Sequence, residues 1–247
     1  MQSLLFVVSR ESFVVSRFAM YIEEIEKSTG VVFKNKELLT QALMHRSFVV
    51  EHKLGDLASN ERLEFLGDAV LELAITEYFY NTFTTQPEGV LTQWRSIAVN
   101  TKNLADAARK LRIEEYIFLS KGEKIAGGFK KERILANVLE ALIGSCYLDQ
   151  GYEKTKKFIG NAILSIIPDL LKAYREYNPK GILQEKIQAQ KKVTPEYRIL
   201  EESGPDHSKT FLAGIFLEGK MIGKGKGVSK KEAEEEAARD ALHNLSV

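Results

Sequence analysis

Between Met20 and about Ala173, apolar residues recur three and four positions apart, the spacing of helices that turn one face inward. The pattern predicts helices within residues 36–52, 61–80, 102–112, 132–149 and 153–173. Pro87-Glu88-Gly89, Gly127-Gly128 and Gln150-Gly151 interrupt it and mark turns. No convincing strand pattern occurs in this part of the chain, so the expectation is an all-α domain.

After Asn178-Pro179-Lys180-Gly181 the period changes. A short helix is predicted from Ile182 to Gln190. Pro195 precedes a strand from Tyr197 to Glu202, and Gly204-Pro205-Asp206-His207 makes a turn. Thr210 to Leu217 and Lys220 to Gly227 read as two further strands joined by a hairpin turn at Glu218-Gly219. Ser229-Lys230-Lys231-Glu232 has the form of a capping box, in which the Ser hydroxyl and the Glu carboxylate satisfy free backbone N–H groups reciprocally. It opens a last helix from Lys230 to Leu245. The order α-β-β-β-α defines a small α+β domain. The expected organisation is an extension at 1–19, a helical domain at 20–173, a linker at 174–180 and the α+β domain at 181–247.

The extension repeats itself: Phe6-Val7-Val8-Ser9-Arg10 returns as Phe13-Val14-Val15-Ser16-Arg17. Arg10, Glu11 and Arg17 interrupt any signal-peptide core, and no small-residue cleavage site follows. It reads as a helical or poorly ordered extension, with Met20 as an alternative start. No other stretch approaches the length of a membrane span.

Composition narrows the class. With 44% hydrophobic and 28% charged residues the chain is an ordinary globular protein rather than a disordered or membrane one. A net charge of +1 carries no global sign of a nucleic-acid partner, so any such partner must show in local pattern. The single cysteine, Cys146, excludes an internal disulfide, which fits a reducing cytoplasm, and the sequence shows no zinc-ligand spacing.

The segment Asn60-Glu61-Arg62-Leu63-Glu64-Phe65-Leu66-Gly67-Asp68 is the most informative. On a helix, Glu61, Glu64, Asp68 and Glu72 share one stripe, flanked by Phe65 and Leu71. Leu63, Leu66, Ala69, Val70, Leu73 and Ala74 cover the remaining surface, the pattern of a buried helix. Two readings fit the stripe. It is a solvated acidic face, or it gathers carboxylates around a cation. Like charges one turn apart repel, and no Lys or Arg lies within the stripe to relieve them. Carboxylate oxygens suit Mg²⁺ or Mn²⁺. Ile134 to Gly144 adds a second apolar helix whose polar residues, Asn137 and Glu140, share one face that continues into Gly144. A structural partner for Glu140, such as Arg133 or a helix N-terminus, is the plainer reading, but it is weaker because the other buried polar groups are those of the acidic stripe. If the two helices pack face to face, Glu64, Asp68, Asn137 and Glu140 converge.

These residues resemble the ribonuclease III family. Asn60 to Asp68 matches its signature stretch, and Ala42-Leu43-Met44-His45-Arg46-Ser47, Gly127-Gly128 and Ile134 to Asp149 follow in the family's order. The α-β-β-β-α unit resembles the double-stranded-RNA-binding domain. The resemblance implies a Mg²⁺-dependent endoribonuclease, with Mn²⁺ as a substitute, that cuts double-stranded RNA in rRNA and mRNA processing. It implies in-line attack by water with two-metal assistance, products with 5′ phosphates and short 3′ overhangs, and a homodimer with no membrane attachment. It assigns Glu64, Asp68, Asn137 and Glu140 to the catalytic metal cluster, Glu61 and Glu88 to secondary acids, and Phe65 to the dimer contact. The family usually has Asp where this chain has Asn137. An amide oxygen still ligates but brings no charge, so a weakened or inactive RNA-binding protein of the same fold is the alternative.

The same resemblance assigns RNA contacts. Gln184 and Gln188, one turn apart on the first helix of the second domain, would reach the 2′-hydroxyls and base edges of a minor groove. His207 would enter the next minor groove. Lys230 and Lys231 would hold phosphates across the major groove, with Lys224 and Lys226 in support. Taken singly, each is better explained as a solvated side chain; the ordered set on this topology is what points to RNA.

Overall fold

The structure, a computed structural model, describes residues 12–164, 167, 172, 178–191, 193–205 and 209–245. The chain divides into two compact units, Met1–Pro168 and Asp169–Val247.

The first unit is helical. Its α-helices are α1 (Ser12–Thr29), α2 (Lys36–Ala42), α3 (Arg46–Glu51), α4 (Glu61–Thr82), α5 (Glu88–Ala98), α6 (Thr101–Lys110), α7 (Lys121–Ile125), α8 (Glu132–Gln150) and α9 (Tyr152–Ala162). The second half of the 1–19 extension therefore begins a helix that runs through Met20 to Thr29. Helix α5 is absent from the sequence reading, which took Pro87-Glu88-Gly89 as a turn. Pro87 instead precedes the first helical residue, where its missing N–H costs nothing, and Val90, Trp94 and Ala98 bury one face.

Helix α8 is the axis of this unit, with α2, α4, α6 and α9 packed around it. Leu135, Val138, Leu139, Leu142 and Ile143 are each no more than 1% exposed. Burying side chains of this size stabilises by about 1.5–3 kcal/mol each. Helices α4 and α8 cross at bare backbone. A Cβ on Gly67 would lie 1.7 Å from Glu140 O, and one on Gly144 would lie 2.2 Å from Leu63 O. Only glycine at both positions permits this approach.

Helix α4 departs from the expectation of burial on nearly all sides. Leu63, Val70, Leu71, Ala74, Ile75 and Phe79 are buried, but Phe65 is 82%, Leu73 56% and Tyr80 71% exposed. At 100° per residue these three lie on one side of the helix. The apolar pattern counted this side as core, although none of the described residues covers it.

A carboxylate fastens α2 to the end of α8. Asp149 accepts the backbone N–H groups of Lys34 and Asn35, each at 2.8 Å, and the Gln150 amide. Burial works to raise its pKa, but the hydrogen bonds from Gln150, Lys34 and Asn35 outweigh it and hold the carboxyl below its ordinary value. A depressed carboxyl pKa stabilises the fold above the unfolded-state value and loses that contribution as pH falls through the folded one. Because these hydrogen bonds are exposed to solvent, Asp149→Ala is expected to cost only about 1–2 kcal/mol at neutral pH. The difference in melting temperature from the unsubstituted protein should shrink to nothing in acid. A difference that persists unchanged at low pH would show that the contact acts through packing.

The second unit contains α10 (Pro179–Lys191), β1 (Glu196–Ser203), β2 (Thr210–Leu217), β3 (Lys220–Gly227) and α11 (Lys230–Asn244). The strands form one antiparallel sheet in the order β1-β2-β3. Glu218 and Gly219 close the β2–β3 hairpin with φ of 51° and 79°, as a two-residue turn of right-handed twist requires. Ser229 Oγ accepts the Glu232 N–H at 3.1 Å. The reciprocal bond of the capping box reaches one residue further back than expected, from Val228 N–H to Glu232 Oε2 at 2.8 Å. Leu183 and Ile187 of α10, Ala213 and Ile215 of β2, and Ala233, Ala237, Ala238 and Ala241 of α11 form the core. Gly223, Gly225 and Gly227 let β3 lie directly against this alanine face. A Cβ on Gly225 would fall 2.1 Å from Ala237 N.

Candidate active site

The α4–α8 crossing brings four polar side chains together. Glu64 and Asp68 flank Gly67 on α4. Asn137 and Glu140 lie two turns and one turn before Gly144 on α8. The Asn137 amide favours the charged form of the Glu64 carboxylate. Asp68 and Glu64 both act on Glu140.

Electrostatics reflect that convergence. Burial first, then the negative charges of Asp68 and Glu64, pushes the Glu140 carboxyl up to about 7. Burial also raises Glu64, and Glu61 and Asp68 add to the rise, while the Asn137 hydrogen bond and the Arg133 charge oppose it. Arg133, the plainer partner considered for Glu140, thus acts on Glu64. All three influences on Glu140 disfavour its charged form.

Three carboxylates and an amide oxygen are hard donors, the kind that suit Mg²⁺ and Mn²⁺, and a divalent charge among them would reverse the repulsion that raises Glu140. The residues present therefore fit a divalent cation in chemistry. In spacing the carboxylates stand apart: among the described residues, no three His, Cys, Asp or Glu side chains are drawn to metal-ligand separation.

The ribonuclease-III-like family profile matches residues 35–167, and the double-stranded RNA binding motif matches residues 179–245. The chain is 46% identical over 216 residues to Ribonuclease 3 of Desulforamulus reducens, covering 87% of this chain and 88% of that protein. It is 42% identical over 222 residues to Ribonuclease 3 of Enterococcus faecalis, covering 90% and 96%. This chain belongs to the ribonuclease III family. Among solved structures, the nuclease domain of ribonuclease III from Campylobacter jejuni, described for flexibility in its region involved in dimer formation, is similar with a TM-score of 0.53. It is 40% identical, and the match covers 57% of this chain and 97% of that one. As a ribonuclease III family member the chain is a double-strand-specific endoribonuclease with a helical nuclease domain and a double-stranded-RNA-binding domain. The family is generally metal-dependent.

The remaining sequence-predicted residues of this ribonuclease III are scattered. Glu61 is exposed at the start of α4, 3.4 Å from Arg46 Nη1 and 3.1 Å from Ser59 Oγ. The stripe lacks its own cation, as the sequence shows, but Arg46 and Arg133 from other helices partly supply one. Glu72 is exposed one turn beyond Asp68. Glu88 lies elsewhere: its carboxylate accepts the Thr92 hydroxyl at 2.8 Å and lines a separate cavity of 580 Å³ with Tyr80 and Arg95. In the second domain Gln184, Lys230 and Lys231 are exposed. Lys230 Nζ sits 5.8 Å from the Phe211 ring, and Lys231 pairs loosely with Glu235 at 3.9 Å. Gln188 lies on α10, and His207 lies outside the described residues.

Residues the sequence reading did not assign also line the site. A cavity of 230 Å³ beside Glu64 and Asn137 is walled by His45, Arg46 and Arg133. His45-Arg46 belongs to a stretch that carries the family resemblance, but its role depends on a long-range pairing that no local pattern reveals. Met44 forms a parallel β-bridge with Phe118, and His45 N–H donates to Phe118 O at 3.1 Å.

Proposed function

We propose that this ribonuclease III uses Glu64, Asp68, Asn137 and Glu140 to hold Mg²⁺, with Mn²⁺ as a substitute, and cuts duplex RNA to 5′-phosphate products with short 3′ overhangs in rRNA and mRNA processing. The observation that carries this reading is the Gly67–Gly144 crossing, which sets the two acids of α4 against Asn137 and Glu140. A bound divalent cation would activate water and neutralise charge on the phosphodiester and its leaving oxygen. The chain's own residues prepare that chemistry. Asn137 supplies its amide oxygen as a neutral donor. Glu140, half-buried, holds a carboxyl oxygen away from bulk water. Glu61 and Glu88 act as secondary acids.

Phe65, exposed on α4 with Leu73 and Tyr80, supports its role as a contact between two copies in a homodimer. The similar Campylobacter jejuni nuclease domain, with its region involved in dimer formation, supports the same reading. Residues 20–173 form the nuclease domain, 174–180 the linker and 181–247 the RNA-binding domain, preceded by the extension at 1–19. Gln184, Gln188, His207, Lys230 and Lys231 contact the duplex, and their domain's match to the double-stranded RNA binding motif supports this. The cytoplasm is the expected compartment. The lone, buried Cys146 fits it, and among the described residues no helix is long and apolar enough to cross a membrane.

The test is cleavage of a long perfect RNA duplex in Mg²⁺, against a single strand of the same sequence. The duplex should be cut to 5′-phosphate ends and the single strand spared. The triple variant Gln184→Ala, Lys230→Ala, Lys231→Ala should bind the duplex more weakly. Its dependence of log affinity on log salt should flatten by about one for each lysine–phosphate interaction removed. Binding without any cleavage would favour the reading of an inactive duplex-binding protein with Asn137 as the cause.

A further inference from the structure

His45 is held in one tautomer. It precedes α3, and its Nδ1 accepts the Ser47 backbone N–H at 3.2 Å. A backbone N–H only donates, so Nδ1 is an acceptor and the ring proton is on Nε2. The Ser47 hydroxyl, 2.8 Å from Nδ1, is consistent: its oxygen accepts the Ser120 N–H at 3.1 Å and its proton is free to point at the ring. Burial keeps the imidazole in its neutral form, against the charges of Glu123 and Glu61. The remaining polar atom of His45 is thus a fixed donor, on a residue that lines the 230 Å³ cavity.

Two arginines and two glutamates share the other walls of that cavity. Arg133 is exposed and has no carboxylate within ion-pair distance among the described residues. Arg46 makes only the 3.4 Å contact to Glu61, with 62% of its side chain exposed. Of the two acids on the wall, Glu61 contacts Arg46 and Ser59, and Glu64 feels the Asn137 amide and the Arg133 charge. The cavity adjoins a larger cleft of 810 Å³ that shares His45, Arg46 and Arg133 and adds Glu51 and the Lys131–Glu123 ion pair, closed at 2.7 Å. Arg46 and Arg133 are the cations that stand beside Glu64 and Asn137.

We propose that His45, Arg46 and Arg133 form a subsite for a backbone phosphate of the RNA strand being cut, flanking the scissile phosphodiester. This rests on the proposed metal cluster and says where the strand lies next to it. The His45 Nε2–H donates to a non-bridging oxygen, and the two guanidinium groups supply charge-assisted hydrogen bonds. The subsite positions the strand and takes no part in bond cleavage.

The experiment uses duplexes in which one phosphate near the cut is replaced by a neutral methylphosphonate, moved one nucleotide at a time. KM and kcat are measured with the full chain in Mg²⁺. For the unsubstituted protein, neutralising one flanking phosphate should raise KM roughly tenfold, the worth of one charged hydrogen bond. Arg133→Ala should already show the raised KM and lose its sensitivity at that position alone. His45→Asn keeps a side-chain oxygen to cap α3 and discards the distal donor, so it should behave like Arg133→Ala with an unchanged melting temperature. His45→Gln, which restores a donor near the Nε2 position, should recover most of the loss. Native KM and native sensitivity in both Arg133→Ala and His45→Asn would overturn the subsite. Glu140→Ala in the same assay separates the two claims, because a cleaving Glu140→Ala contradicts the metal cluster itself.

Discussion

Gly67→Ala is expected to lower both the stability of the nuclease domain and its cleavage rate, and the second loss should exceed what the first explains. A methyl at this position would stand 1.7 Å from the Glu140 carbonyl oxygen, a backbone atom that cannot rotate away. The helices must part or tilt, and overpacking of this kind costs about 1–3 kcal/mol. Parting α4 and α8 also draws Glu64 and Asp68 away from Asn137 and Glu140. A displacement near 1 Å at a reacting centre is worth on the order of a hundredfold in rate. Gly144→Ala, with its clash at 2.2 Å from Leu63 O, should repeat the result. Thermal unfolding beside single-turnover cleavage, at a temperature where the variant remains folded, makes the comparison. A variant that melts lower but cuts at the native rate would show that the crossing supports the fold without setting the site.

The second large effect is expected at Glu140. Glu140→Ala should reduce cleavage by a factor on the order of 10²–10³ or more, because it removes one of the oxygens proposed to hold the cation that would stabilise charge developing in the transition state. Duplex affinity should change little, since Glu140 is none of the residues proposed to contact the RNA. Cleavage and equilibrium binding of the same duplex, measured side by side, separate the two. An equal loss of binding would place Glu140 among the RNA contacts and remove it from the metal cluster.

The local features of this protein are legible in its sequence where a short-range rule governs them. The β2 and β3 bounds coincide with expectation because alternation, the Glu218-Gly219 turn and the Ser229 cap are all local signals. Helix α5 escapes because Pro87 and Gly89 are read as breakers, while the burial of Trp94 against Phe79 and Phe83, which anchors the helix, is tertiary. At the site, periodicity places Glu64 with Asp68, and Asn137 with Glu140, but it cannot pair α4 with α8. The glycines are the trace of that pairing, and only the geometry shows why Gly67 must lack a side chain. Arg133 and Arg46 remained out of reach for the same reason. Their effect on Glu64 and Glu61 crosses between helices. The exposed Phe65 side of α4 exposes a limit of hydrophobic pattern: it marks a surface to be covered without saying by what.

The central claim is that Asn137 shares a cation with Glu64, Asp68 and Glu140. Its most direct test is the rate of duplex cleavage as a function of Mg²⁺ concentration for the chain as it stands and for Asn137→Asp. Replacing a neutral oxygen donor by a charged one should lower the Mg²⁺ concentration needed for half-maximal rate by roughly tenfold, within the range by which residues around a metal tune its affinity. The cleavage sites should stay the same. Identical Mg²⁺ dependence in the two proteins would contradict the claim and place Asn137 outside the cation's reach.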